Sequence, residues 1–560
     1  MSETTTEATA EAGAPAEDAT PLGWLNTADH KRIGRLFIVT SILFGVLGLV
    51  LDLLVRIDLT DGEAFVALDV DTFAQVFALS RETLVLLFLI PAFLGVACYV
   101  VPLQIGASNL AFPRAAAASY WGWLVSAGVL IGAYAGNGGP YGGWSDGVDL
   151  HLLALGGIVL SLLIGAVTIG TTVLTMRSPG LYLDRTPPFS WSAMVTASML
   201  VISLPVLLGQ LVLLYVDHRY GRVFLGGNQG IWRRIDWVHE TPQLFIYVVP
   251  VLGAVAEIKL AASRRRVFEP LAVYFTLGLV GLFGFGAWAN FSVTGEGVDI
   301  ADGLEGIVLV ALYGGALLGS TVLFGVLGFT LFQGRKGLKV TAPLIAATLA
   351  IVFVLAGAAL GLVGAGSDWL ELAGRGNDGN PYLRDTVFTS GVQSLLIYGA
   401  GVMGLIAALH WWGPKIWGRR LNEAGGFLTV LVAAIGALLA TLGPVLSGVL
   451  TEQPDFVYFD PSMTSIWSSW VDSSGAAGFM AMGVAGAVIT AVAVGLLLLN
   501  VIWSVLLGKG VEAGNDPWSA QTPEWLLASP PPMGDGALAD LTSGTPLLDA
   551  SEVADEEVTV

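Results

Sequence analysis

The 560-residue sequence has one cysteine, Cys98, and five histidines, His30, His151, His218, His239 and His410. A lone cysteine excludes an internal disulfide and any cysteine-built zinc or iron-sulfur site. Charge is also scarce: 12% of residues are Asp, Glu, Lys or Arg, about half the share usual in a soluble domain. Bases are scarcer than acids, 25 against 44, for a net −19. The imbalance is local, because residues 1–29 hold six acids and no base and residues 510–560 hold ten acids and no base. The tails carry −16, and the body stays near −3. No stretch is basic enough to grip a phosphate backbone, so a nucleic-acid partner is excluded.

What is abundant is apolar: 54% of residues, with mean hydropathy +0.74. These residues fall into blocks near 35–55, 76–104, 119–137, 151–175, 191–216, 241–262, 270–293, 304–333, 340–366, 386–412, 426–450 and 479–507. About 20 apolar residues span the hydrocarbon core as a helix, so the blocks predict an all-α polytopic bundle of about twelve transmembrane helices over residues 30–509. An acidic, disordered N-terminal tail (1–29) and an acidic C-terminal tail (510–560), also expected to be disordered, flank it. No basic segment with a short apolar core precedes residue 35, so the first span is expected to serve as its own anchor. With twelve spans both termini share a side, which collects seventeen Lys and Arg against seven on the other. Positive loops stay inside, so both termini are expected to be cytoplasmic.

Particular strings add to this. DHKRIGRLF at 29–37, VPLQIGASNLAFPRAAAASYW at 101–121, WVHETPQLFIYVVP at 237–250, WANFSVTGEGVD at 288–299, LRDTVF at 383–388 and NDPWSAQTPEWLLASPPP at 515–532 resemble, in order, stretches of the heme-copper oxidase family, subunit I of cytochrome c oxidase. The resemblance runs from about residue 29 to 532. It implies a bundle of twelve spans in a prokaryotic-type plasma membrane, a place in a respiratory complex among other membrane subunits, and two hemes and a copper held by six histidines.

Five histidines cannot supply six ligands, and the family's register makes the mismatch wider. In the second helix Ser80 stands where a heme ligand is implied. In the sixth, the family's His-Pro-Glu-Val-Tyr is matched by Thr241, Pro242, Gln243, Leu244 and Phe245. In the seventh, the two remaining copper positions carry Asn290 and Phe291, and in the tenth the two remaining heme positions carry Val392 and Ser394, with Arg384 at an outer metal position. The proton routes fare alike: Asn109 stands for an entry Asp, Cys98, Ala116 and Ala117 for a polar wall, and Gly319 near the place of a channel Lys. The pair that binds heme propionates aligns with Thr451 and Glu452. No heme, copper or other metal is therefore expected, and no catalytic residue.

The surviving polar residues each have a plain reading. His239 is expected to make a loop-end hydrogen bond, and His30 and His410 to pack at the interface. His151 and His218, at span boundaries, are expected to be solvated. Arg81 and Glu82 lie within a span, where a charge costs about 2.5–3.5 kcal/mol, and are expected to pair with each other or with neighbours. Arg56, similar to a heme-contacting arginine of the family, is expected to anchor the outer interface. The function that follows is a non-catalytic structural or regulatory membrane subunit linked to a respiratory complex. The alternatives are a protein binding or transporting a lipid or quinone in the former cofactor cavity, and a working oxygen-reducing terminal oxidase.

Overall fold

The computed structural model describes residues 23–24, 26–60, 68, 70–222, 224–240, 243–284, 302–369, 383, 386–453, 475–532, 538 and 541–559. Among these, eleven helices are long and apolar enough to cross a membrane. They are α1 (His30–Asp58), α2 (Thr72–Ile105), α3 (Pro113–Ala135), α4 (Ser145–Thr175), α5 (Pro188–Arg219), α7 (Phe245–Ser263), α9 (Asp302–Gln333), α10 (Ala342–Trp369), α11 (Phe388–Trp417), α12 (Glu423–Leu450) and α13 (Ala476–Leu506). A short helix, α6 (Gly227–Ile235), precedes α7. The expected span at 270–293 is described only as the 14-residue helix α8 (Pro270–Phe283). Much of the remainder of that block lies outside the described residues. The chain is a multi-pass, nearly all-helical membrane protein.

Helix rotation follows from where apolar side chains are left uncovered. Val39, Leu43, Val46 and Val50 of α1, Leu153, Leu160, Val167 and Leu174 of α4, and Leu428, Leu431, Leu438 and Leu442 of α12 are exposed at helical spacing. Such stripes suit lipid chains, which solvate them as water cannot. The apolar stretches of α2 and α11 are enclosed on all sides and form the centre of the bundle. Both depart from α geometry, with π-helical segments at Thr83–Leu89 and Leu395–Val402. Small residues set the closest approach: a methyl on Gly486 would lie 2.0 Å from the Ala440 nitrogen, so α12 and α13 touch backbone to backbone.

Where it is described, the C-terminal tail is folded and not the disordered segment expected. Residues 515–532 lie against the helix ends, and a last helix, α14 (Pro546–Thr559), is docked by Arg266, whose Nη2 reaches Asp549 at 2.7 Å and Glu552 at 2.5 Å. The composition-based expectation failed because those acids have a basic partner 283 residues away. Residues 1–22 lie outside the described residues.

Candidate functional site

The positions singled out in α2 and α11 come to the bundle centre. Ser80 is fully buried and donates to the Phe77 carbonyl at 2.8 Å, one turn back in its own helix. Val392 packs with Leu383, Phe388 and Val445 in a small apolar cluster. Ser394 donates to Ser390 at 2.7 Å and accepts from Arg56 Nη2 at 2.7 Å. Thr241, Asn290 and Phe291, and with them Pro242 and Arg384, lie outside the described residues. Gln243 and Phe245 are buried at the start of α7.

Arg56 does not anchor the outer interface. It is 6% exposed, its Nε 2.5 Å from Asp52 Oδ2, its Nη2 on Ser394, and its guanidinium 5.5 Å over the Tyr398 ring. Tyr398, in the π-helical segment of α11, donates its hydroxyl to the same Asp52 oxygen. A carboxylate one turn before an arginine is the residue to look for, because i,i+4 pairs share a helix face. Asp52 gives little signal in the sequence because apolar residues surround it.

The histidines have separate surroundings. His151 is fully buried rather than solvated: its Nε2 donates to Glu82 at 3.0 Å, and Tyr134 donates to the other Glu82 oxygen at 3.1 Å. His218 is half-buried and holds Asp149 at 2.8 Å, an acid also bound by Arg219. Glu82 is therefore paired across the bundle, while Arg81 pairs with no carboxylate among the described residues and stacks 5.3 Å over the Phe77 ring. His239 makes no loop-end bond through Nδ1; its ring stacks at 5.5 Å on Trp232, and burial, then the charge of Arg81, pulls its pKa down to about 3. His30 and His410 are buried and donate to the carbonyls of Cys98 at 3.1 Å and Ile406 at 2.9 Å. Among the described residues no three His, Cys, Asp or Glu gather as a metal would need.

A second concentration of polar groups lies at the helix ends that carry both termini. Asp29 caps α1 by accepting from the Lys31 amide at 2.7 Å. Arg35 donates to the Ile416 carbonyl at 2.6 Å, and Tyr99 to that of Lys415 at 2.9 Å. Lys415 Nζ bonds the carbonyls of Leu527, Asn515 and Ala528 at 2.7, 3.2 and 3.3 Å. The Gln104 amide bridges two buried carboxylates, Glu257 at 2.8 and 2.9 Å and Glu524 at 3.1 Å, while Trp412 also donates to Glu524 at 3.1 Å. Burial pushes the Glu524 carboxyl up despite those donated bonds. Gly106 (φ 73°) and Gly418 (φ 78°) end α2 and α11 in the left-handed region, and a methyl there would come within 2.8 Å of Leu538 and 2.7 Å of Pro530. The strings that resemble the family thus clasp one another, and Asn109 joins them by donating to the Ala28 carbonyl at 3.2 Å.

Comparison with known proteins agrees with this arrangement. A family model described as "Cytochrome C and Quinol oxidase polypeptide I" matches residues 32–489. "Cytochrome c oxidase subunit 1" of Bacillus subtilis is 29% identical, with 91% of this chain and 80% of the relative covered. Its namesake of Alkalihalophilus pseudofirmus is 30% identical, with 91% and 79% covered. The "Heme-copper oxidase subunit I+III" of Aeropyrum pernix is 29% identical over 91% of this chain and 60% of its own length. A solved heme-copper terminal oxidase dimer superposes with a TM-score of 0.64 at 14% identity, covering 95% of this chain and 89% of that one, a likeness of fold. With helices, order of motifs and family model in agreement, the chain belongs to the cytochrome c and quinol oxidase polypeptide I family.

Proposed function

We propose that this chain is a non-catalytic, subunit I-like membrane protein, a structural or regulatory partner of other membrane subunits in a respiratory complex. The family implies heme and copper, and the donor set does not fit them. The observation that carries this reading is the dispersal of the imidazoles. His30 and His410 bond two different backbone carbonyls through Nδ1, His151 and His218 bond different carboxylates, and His239 stacks on Trp232, so no two of the five share a partner. A heme iron or a copper of this family needs neutral imidazoles converging on one point. At Ser394 the hydroxyl that replaces an imidazole is bound by the Arg56 guanidinium, a cation set against a second one. What remains well built is the clasp at the terminal helix ends, which holds the bundle and offers a folded surface to neighbours.

The test is visible spectroscopy and metal analysis of the purified chain in a host lacking other terminal oxidases. No Soret band and no stoichiometric copper are expected, and either in full stoichiometry overturns the reading. Tagged purification in mild detergent at native expression is expected to bring respiratory membrane subunits with it. Cysteines placed at Ser2 and Val560 in a Cys98-free background are expected to resist external labelling in intact cells, as cytoplasmic termini require.

A second reading, a working oxygen-reducing subunit of the plasma membrane, is favoured by one observation. Relatives named cytochrome c oxidase subunit 1 align over 91% of this chain. Oxygen uptake by the purified protein, with heme present, would establish it.

A further inference from the structure

Glu257 of α7 and Glu524 of the terminal segment are 3% and 0% exposed, and a single nitrogen joins them. Gln104 Nε2 lies 2.9 and 2.8 Å from the two Glu257 oxygens and 3.1 Å from Glu524 Oε1. The two carboxyl groups are therefore within two hydrogen-bond lengths of each other. Ser190 sets which way the amide faces, because its hydroxyl donates to Gln104 Oε1 at 2.6 Å. The space between the carboxyl groups holds amide hydrogens, which attract an anion or an acid and repel a metal cation.

The donors are unevenly dealt. Glu257 also accepts from the Phe189 amide at 2.8 Å, so both its oxygens are bound. Glu524 Oε1 accepts from Gln104 and Trp412, but Oε2 is sealed from solvent without a hydrogen-bond partner. The cation that feels Glu524, Lys415 of α11, spends its three N–H on the carbonyls of Asn515, Leu527 and Ala528. Asp516 acts on Lys415, and Thr522 faces Glu524 from its own segment. Gln104 of α2 and Ser190 of α5 are neutral, and Tyr274 of α8, which feels Glu257, donates its hydroxyl to the Thr186 carbonyl at 2.8 Å. α14 packs on residues 523–526 with Asp549 and Glu552 engaged by Arg266. Two carboxylates this close and this buried resist ionising together, and one proton between them resolves the conflict. Burial holds the Glu524 carboxyl up, in keeping with its unbound oxygen.

We infer that Glu257 and Glu524 bind one proton between them, and that this proton latches residues 515–532 onto the bundle. When it passes to water, two anions face each other across one amide. Glu257 is fixed within α7, so the segment carrying Glu524 is the part that yields. Glu524 sits in a four-residue turn, Pro523–Leu526, and its departure takes with it the carbonyls of Leu527 and Ala528 that receive Lys415. The bundle end that carries both termini thus opens as proton concentration falls on that side. The latch rests on the fold alone and holds whether or not the chain works inside a respiratory complex.

The experiment uses the full chain in neutral detergent over a pH series. Infrared difference spectra follow the stretch of a protonated carboxyl, and limited proteolysis follows residues 515–532, with a free peptide of that sequence correcting for the protease's own pH dependence. The wild type is expected to lose one protonated carboxyl per chain as pH rises, with cleavage increasing along the same curve. In a shared pair each carboxyl raises the proton affinity of the other. Glu257→Gln and Glu524→Gln are therefore each expected to lower the proton affinity of the carboxyl that remains by at least about tenfold, and to keep the segment protected at alkaline pH. A midpoint unmoved in either variant, or cleavage that does not follow the wild-type midpoint, overturns the proposal. Should the Gln variants fail to fold, the wild type decides alone: cleavage that rises with the loss of one proton supports the latch, and cleavage independent of pH overturns it.

Discussion

The centre of the bundle and its terminal helix ends both bury polar groups, but they satisfy them differently. At the terminal ends, most charged side chains meet backbone groups: Lys415 is held by three carbonyls, Arg35 by one, and Glu257 by the Phe189 backbone amide besides the Gln104 side chain. At the centre, side chain meets side chain, as in Asp52 with Arg56 and Tyr398 or Glu82 with His151 and Tyr134. Backbone acceptors are supplied by any sequence that keeps the fold, so the first kind of contact tolerates change at one partner. The second kind depends on both residues, and replacing one leaves the other stranded.

The comparison is broken most severely at the centre. Arg56→Ala leaves the buried Asp52 without its bonded cation and is expected to lower stability by about 3–5 kcal/mol, while a combined Asp52→Leu and Arg56→Leu change recovers most of it. Reversible unfolding in mixed micelles measures both, and a single variant as stable as wild type would remove the cluster from any structural role. At the terminal ends, Gly418→Val meets both the positive φ and Pro530, and is expected to cost about 1–3 kcal/mol and to free residues 515–532 to protease.

Acid and base then separate the two regions by sign. Burial holds the Glu524 carboxyl above its unfolded value of 4.5, so its contribution is full below that pH and is lost as pH rises through the folded value. His239 is held down from 6.5 to about 3, so its contribution is present above 6.5 and is lost as pH falls toward 3. Each slope is at most about 1.4 kcal/mol per pH unit. Glu524→Gln is expected to flatten the alkaline-side loss and His239→Phe the acid-side loss. The groups facing Glu524 are Glu257 of α7, Gln104 of α2, Trp412 and Lys415 of α11, and Thr522 of its own segment. Smallest of all is Arg266→Ala: its ion pairs are half exposed, so a change of about 1 kcal/mol or less is expected, seen as faster proteolysis of α14 that high salt reproduces in the wild type.

The helices were legible because runs of some 20 apolar residues have few other folded solutions, and the clasp because its strings kept a family pattern. The polar contacts of the centre were not. Arg56 and Ser394 are 338 residues apart, and His151 lies 69 residues from Glu82. Which side chains meet depends on how each helix is turned about its axis, and helices enclosed on all sides, such as α2 and α11, carry no amphipathic stripe to report that angle. The same blindness placed His151 in solvent and Arg56 at the interface. The docked helix α14 was missed for a related reason, since composition records acids but not the distant base that binds them.

Glu524 and the segment around it complete the enclosure of Glu257 and Gln104, yet they follow α13 in the chain. A ribosome making this protein therefore places every described membrane helix before it makes the group that covers that end. Until residues 515–532 emerge, the Gln104 amide faces one carboxylate instead of two and Lys415 lacks the three carbonyls that receive it. Closure of this end is a late event in biogenesis, and a chain cut short of residue 515 would leave it open to whatever meets it during insertion.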